Sequence, residues 1–316
     1  MTIESSHDPA HLIPAASQLR RSRRLWRALF FIALGIAVLA IAGRLAMESG
    51  AVGNRIARIN IDGTIATDPM RTETLNKLAD DPLVQAVIVA INSPGGTTAG
   101  GEELYEALGA LRARKPVVAV IRELGASAAY MAALAADRIY ARRLSIVGSI
   151  GVLYQHINAG KLLDTIGIDL DKVATGPLKA EPDYDGPISP EVRASLQRLV
   201  GDSYDWFIDI VSERRGIGRP ETLALADGRI VTGRQGVEHR LIDAIGGEAE
   251  AIDWLETERQ IAADLPVLTY YPLPESDWLD LPRWMGGAAR AALGLDANGR
   301  FALDGLVSLW QVGPSI

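Results

Sequence analysis

Residues 84–101 read VQAVIVAINSPGGTTAGG. The first eight, Val84–Ile91, form an apolar run rich in β-branched side chains and interrupted only by Gln85. A run of that length without alternation reads as a strand buried on both faces, the kind found in parallel sheets. It empties into NSPGGTTAGG, where a proline and paired glycines make a turn able to bring backbone N–H groups close to a ligand. A helix is expected over about Glu102–Arg114. Buried strand, glycine turn and helix together make an α/β unit.

Working outward, Arg55–Ile65 (RIARINIDGTI) alternates, with Ala57, Ile59 and Ile61 on one face, and predicts a strand ending in an Asp-Gly turn. A helix follows over Met70–Ala79. Downstream, the strand Val117–Arg122 leads into GASAAY, Gly125–Tyr130, and a helix to about Ala136. Ser127 therefore sits at a strand-to-helix junction. A hydroxyl held at a helix N-terminus can act as a nucleophile, with nearby amides to hold an oxyanion. Ser127 can equally serve only as an N-cap, and these residues alone leave both readings open.

Short strands are expected at Arg138–Ala141 and Ser145–Val147, then a glycine turn at Gly148–Gly151 leading to Val152–Tyr154. A helix is expected at Ala159–Ile166, a strand at Lys172–Ala174, and a Gly/Pro/Asp-rich loop after it. Ser189-Pro190-Glu191 opens the clearest helix, with Ser189 as N-cap and Pro190 in the first turn, running to about Arg215. Residues 248–260 read as helix and Pro266–Pro274 as extended. Beyond them, 281–294 could form an amphipathic helix, 301–312 is not assignable, and Trp278, Trp284 and Trp310 suit either a membrane interface or a packed surface. Strands and helices alternate from residue 55 to about 245, so the class is α/β.

The chain has 316 residues, of which 48% are hydrophobic and 22% charged, enough for a buried core. The net charge of −7 argues against a general nucleic-acid binder. There is no cysteine, which removes disulfides, thiolate metal sites and a cysteine nucleophile. The four histidines (His7, His11, His156, His239) show no metal-ligand spacing, and the acidic residues show no calcium-loop spacing. If the chemistry needs a neutral amine, the candidates are the five lysines: Lys77, Lys115, Lys161, Lys172 and Lys179.

The N-terminal end carries an address. Residues 1–24 form a polar tail ending in Arg20, Arg21, Arg23 and Arg24, with Arg27 close behind. An apolar stretch follows, and 25–47 is long enough to span a bilayer if Arg27 and Arg44 snorkel. The arginine excess predicts a cytoplasmic N-terminus and an extracytoplasmic remainder. Cleavage after Ala40-Ile41-Ala42 is the competing reading.

Four of these stretches together resemble one family. NSPGG after a buried strand, GASAAY at a strand-to-helix junction, GSIGV some twenty residues later, and GRIVTGRQGVEHRLIDAIGG near residue 240 are similar to the signal peptide peptidase A family of membrane-anchored bacterial serine proteases. The likeness covers about residues 54–260, read as the peptidase domain, with 261–316 as a C-terminal extension forming a lid, groove or interface. It implies a ClpP/crotonase-like fold of repeated ββα units after one transmembrane helix. It implies a Ser–Lys dyad with Ser127 as nucleophile, Lys179 of Gly176-Pro177-Leu178-Lys179 as general base, and Ser149 as the lysine-orienting serine. The oxyanion donors it implies are the amides of Gly96 and Ala128, with Gly95 a close alternative to the first. No metal and no cofactor are implied.

A lysine at its reference pKa is neutral in only about one molecule in 2,500 at pH 7. A lysine base must therefore be desolvated and bonded to neutral partners. Glu181, Asp183 and Asp185, which follow Lys179 where the family commonly has a Gly-Ser-Pro-like turn, oppose that if they face it; Lys172 is the fallback. The resemblance further implies a plasma-membrane endopeptidase with its catalytic domain in the periplasm, acting on signal-peptide remnants and unfolded chains. It implies a ring- or dome-like homo-oligomer in which neighbouring subunits share each dyad. The competing readings are an inactive membrane-anchored scaffold of the same fold and a crotonase-type acyl-CoA enzyme, which the anchor disfavours.

Overall fold

The computed structural model describes residues 26–27, 29–36, 38–39 and 53–272, and the backbone of 307–309. The chain divides into two units, Met1–Gly53 and Asn54–Ile316. In the first, residues 26–27, 29–36 and 38–39 are helical and exposed, and Phe30 and Phe31 meet edge to face at 5.7 Å. Among the described residues no helix is long and apolar enough to cross a membrane; the anchor expected over 25–47 extends past them at both ends.

The second unit is built on one mixed sheet. Its centre is three parallel strands: β1 (Arg55–Ile65), β2 (Val84–Thr97) and β3 (Val117–Ala126). Between them run α1 (Pro69–Asp80) and α2 (Thr98–Arg112), so each connection is a helical crossover. The far edge of β3 is taken first by β4 (Arg138–Ala141) and then by β5 (Ile146–Gly148), both parallel to it. β6 (Ile230–Thr232) closes antiparallel on β5, and β7 (Ala244–Ile245) runs parallel to β4. β8 (Val267–Tyr271) lies parallel to β1 on the other side.

Strand side chains alternate between two faces, and the core divides accordingly. Ala57, Ile59, Val87, Val89, Ile91, Ala119 and Ile121 face one way, onto Leu75 and Leu78 of α1 and Leu104, Leu108 and Leu111 of α2. The same layer holds α3 (Ala128–Leu134). After a short helix, α4 (Gly160–Ile166), the long helix α5 (Pro190–Arg215) adds Phe207 and Val211 to it. Two further short helices, α6 (Arg219–Leu225) and α7 (Gly233–Glu238), stand before and after β6 in the chain. Ile56, Ile88, Val118 and Val120 face the other way, onto Ala251, Trp254 and Leu255 of α8 (Glu248–Glu258). With apolar helices against both faces, β2 has no polar side to alternate. At about 1.5–3 kcal/mol per fully buried aliphatic side chain, this layering dominates the stability of the unit.

Most boundaries follow local chemistry. α1 starts where the Asp68 carboxylate accepts from the amides of Met70 and Arg71, with proline in its first turn. α5 starts where Ser189 Oγ accepts from the Val192 amide at 3.2 Å, and stops at Gly216 with φ +60°. α4 likewise ends on Gly167 at φ +73°.

Two expectations are corrected. NSPGGT is not a turn after β2 but part of it, paired with β1 through Thr64–Gly95 and Ile65–Gly96 across a register shift. Lys172–Ala174 is not a strand: it lies in irregular, exposed chain between α4 and α5, with no neighbouring strand among the described residues to pair with. The helix expected at 281–294 and the residues Trp278, Trp284 and Trp310 lie outside the described residues.

Candidate active site

β3 delivers Ser127 to the sheet's carboxyl end, where α/β folds gather their ligands. Its backbone stands at φ +59°, ψ −122°, a region that costs a non-glycine residue about 1–3 kcal/mol. Backbone hydrogen bonds hold it there. The Ser127 amide donates to the Gly148 carbonyl at 2.9 Å, and its own carbonyl accepts from Tyr130 and Met131 at 2.8 and 3.0 Å. Ser127 occupies the N-cap position of α3, yet its side chain makes no capping bond. The helix is fixed from both ends and from behind. Arg214 donates to the carbonyls of Leu134 and Ala136, both at 2.8 Å, and the Tyr130 hydroxyl donates to the Leu241 carbonyl at 2.7 Å. Burial pushes that phenol's pKa up, so it stays a donor.

Ser149 is brought beside Ser127 by the same turn. Gly148 pairs with Ala126 across β3 and β5, and Ser149, at φ +51°, donates its amide to the Arg229 carbonyl at 2.8 Å. Ser149 is buried. The segment near residue 240 thus supports both serines: Arg229 under Ser149, and Leu241 under Tyr130.

The glycine strand lies alongside. A Cβ on Gly96 would stand 1.8 Å from the Ile65 carbonyl oxygen, so only glycine allows β1 and β2 to approach there. Gly95 stands at φ +103°, and its amide donates to the buried Ser93 Oγ at 3.1 Å. That amide is therefore engaged. Ser93 pairs in register with Gly125, which ties the glycine strand to the serine's own strand two residues before Ser127. Ala128 is buried at the first position of α3, where an amide has no intrahelical acceptor.

Lys179 is not at this cluster's hydrogen-bonding distance. It lies in the exposed chain between α4 and α5, and among the described residues its ammonium makes no ion pair or hydrogen bond. Two of the three acidic residues after it turn to another lysine. Lys172 pairs with Glu181 at 2.6 Å and with Asp183, and these carboxylates hold its ammonium above the usual lysine value. Lys172 is thus neutralised as a cation, not prepared as a base. His156 is likewise engaged, bonded to the Gly186 carbonyl at 3.1 Å and stacked on Tyr184.

Against known proteins, Peptidase family S49 matches residues 109–262. A Synechocystis sp. protein named "Putative protease slr0021" is 34% identical over 204 residues, covering 64% of this chain and 74% of its own. The chain belongs to peptidase family S49. An Enterococcus faecium relative named "Putative signal peptide peptidase SppA" is 29% identical, over 71% of this chain and 69% of its own. Among solved structures, a point mutant of ClpP1 from Listeria monocytogenes aligns over 60% of this chain and 91% of its own, at 14% identity and a TM-score of 0.40.

Two further residues of the site lie inside the motifs without a signal of their own: Gly148 acts through its backbone carbonyl, and the Ser93 hydroxyl accepts from an amide two residues on, neither of which leaves a spacing pattern. Arg214 was unreadable, because nothing in α5 says that one arginine caps a helix 80 residues earlier.

Proposed function

We propose that this chain is a membrane-anchored, extracytoplasmic serine endopeptidase that hydrolyses peptides, signal-peptide remnants among them, through an acyl-enzyme on Ser127. One observation carries the reading. Ser127 is buried in a strained conformation at the exit of a central parallel strand, and its hydroxyl is not spent on capping the helix that follows. Strain of this kind marks sharp strand-to-helix turns that present a nucleophile.

In this mechanism Ser127 Oγ attacks the scissile carbonyl while a lysine amine takes its proton. The resulting oxyanion is received by the amides of Gly96 and Ala128; the engagement of the Gly95 amide by Ser93 favours Gly96 of the two. The lysine then protonates the leaving amine, and a water, deprotonated by the same amine, hydrolyses the acyl-enzyme. Lys179 is assigned as this base and Ser149 as its orienting partner.

The exposure of Lys179 supports a shared site. The chain from residue 153 to 178, which leads to Lys179, also exposes Leu153, Ile157, Ile168, Leu170, Val173 and Leu178. Large apolar side chains exposed in this number are what a partner would cover. A second copy would bury them and desolvate the amine, the condition that a lysine base requires. Closed repetition of such a contact yields a ring or dome. The parallel β1–β3 core with helices on both faces supports the ClpP/crotonase-like assignment. The arginine-flanked apolar stretch over 25–47 and the name of the Enterococcus relative support the address and substrate class.

Ser127→Ala tests this reading. It should abolish cleavage of an unfolded protein while leaving the oligomer, measured by sedimentation, unchanged. Persistent cleavage ends the assignment of Ser127 as nucleophile, and no cleavage by the native chain favours an inactive scaffold of this fold.

A further inference from the structure

Among the described residues, Arg71 on α1 is the only charged side chain that is buried, with 5% of its surface exposed. Its charge is poorly compensated. The ion pair to Glu103 is long, at 3.5 Å, and its Nε has no hydrogen-bond partner among the described residues. A guanidinium cannot shed its charge by losing a proton, so burying it is costlier than burying an apolar side chain of similar size. What an apolar side chain could not supply is a donor. Arg71 Nη2 donates to the Ala66 carbonyl at 2.9 Å.

Ala66 directly follows Ile65, the residue of β1 that pairs with Gly96. The first turn of α2 also packs on Ala66. A Cβ on Gly100 would stand 2.6 Å from the Ala66 carbonyl carbon, so the two backbones meet, and the Gly100 amide donates to Thr97 Oγ1 at 3.0 Å. Thr97 is the residue after Gly96. One turn further along α2, Glu103 accepts from the Asp68 amide at 2.9 Å and from the Thr72 hydroxyl at 3.2 Å. The path from Arg71 to Gly96 is therefore continuous. The guanidinium holds the Ala66 carbonyl, Ala66 is fixed to Ile65 and packed on Gly100, and these hold Gly96 and Thr97. A shift of the Ala66 carbonyl would move both the ladder partner of Gly96 and the first turn of α2.

We infer that Arg71 is a positioning residue for the Gly96 amide, with Glu103 bracing the same corner from α2. The role rests on the peptidase reading, which makes that amide an oxyanion donor; the bracing itself stands on geometry. A donor of this kind is effective because it is already aimed, at about 3 Å, at the place where charge develops. The buried guanidinium supplies that preorganisation from behind the strand. Neither Arg71 nor Glu103 is assigned a contact with substrate, so their loss should slow the reacting step and leave binding alone.

The test uses the full-length chain carrying Arg71→Met, which keeps the length of the side chain and removes its donors. Hydrogen exchange over residues 92–101 reads the strut without reference to activity, because the Gly95 and Gly100 amides there are held by Ser93 Oγ and Thr97 Oγ1. We expect that exchange to quicken about tenfold or more while residues 117–126 keep their native protection. For an unfolded substrate, kcat should fall about tenfold or more with KM unchanged, and Arg71→Lys, which keeps one charged donor, should recover most of the loss. Combined with Gly96→Ala, the two losses should fail to multiply, because both displace one amide. Glu103→Ala, which empties no core position, should show the same pattern at about threefold, and takes the place of Arg71→Met if that chain does not fold. Unchanged exchange over 92–101, native kcat in an enzyme that hydrolyses, or losses that multiply overturn the inference. Quickened exchange with no hydrolysis by any form, the native chain included, upholds the strut and sinks the peptidase reading; hydrolysis with unaltered exchange and kcat does the reverse.

Discussion

The amide of Ser127 donates to the carbonyl of Gly148 at 2.9 Å, and Gly148 is bonded in sequence to Ser149. One backbone bond thus sets the distance between the two serines of the site. Gly148 stands at φ +95°, and a Cβ there would meet the Arg229 carbonyl at 3.2 Å. Gly148→Ala should lower stability by about 1–3 kcal/mol, read as a shifted urea midpoint. Its activity should fall by about a hundredfold, as small displacements at a reacting centre do. Full activity in a folded Gly148→Ala protein would show that the turn does not position the site.

Gly96→Ala tests the amide strand. The new methyl would stand 1.8 Å from the Ile65 carbonyl oxygen, so β2 must shift away from β1. Loss of one oxyanion donor costs about 10²–10³ in kcat. We expect a loss of that size with circular dichroism preserved; a changed KM at constant kcat would instead make Gly96 a binding residue only.

The two lysines should separate cleanly. Lys172 is held by Glu181 and Asp183, and Lys172→Ala should keep its peptidase activity. Lys179→Ala should lose about 10²–10⁴-fold, the worth of a positioned base. If each site is shared, mixing Ser127→Ala with Lys179→Ala subunits should restore activity, because some interfaces regain an intact serine and an intact lysine. No recovery in a verified mixed oligomer counts against shared sites.

Acid stability should depend on Asp68. Burial opposes its ionisation, but the Tyr271 hydroxyl, the amides of Arg71 and Met70 and the Arg71 charge outweigh this and hold the carboxyl below its usual range. A lowered folded-state value gives stabilisation that is present above the unfolded carboxylate pKa of about 4 and lost as pH falls through the folded value. Urea midpoints measured at descending pH below about 4 should therefore fall less steeply for Asp68→Asn than for the native chain. Parallel curves would remove Asp68 from the acid response.

How much is legible in the sequence depends on whether a residue acts through its side chain. The apolar run of β2 and the alternation of β1 announce themselves, because burial selects side chains. So does Ser189, whose capping oxygen and following proline are local chemistry. NSPGGT reads as a turn because glycines pair through backbone alone, and its ladder partners lie at Thr64 and Ile65 and at 307–309. The strand Val307–Leu309, antiparallel to Gly95–Thr97, escapes assignment for the same reason: three residues become a strand only because a distant edge is open. Ser127 and Ser149 are found by motif and brought together by the fold. The burial a lysine base needs is predicted from chemistry, but Lys179 is exposed in the single chain; on the proposed reading a neighbouring copy supplies that burial, which no local pattern encodes.

The most direct measurement is covalent labelling with a fluorophosphonate, followed by mass spectrometry of the labelled peptide. The account predicts one modified residue, Ser127, with labelling absent in Ser127→Ala and slowed in Lys179→Ala. A label on any other residue, or an unlabelled Ser127 in an oligomer that still cleaves unfolded protein, would contradict it.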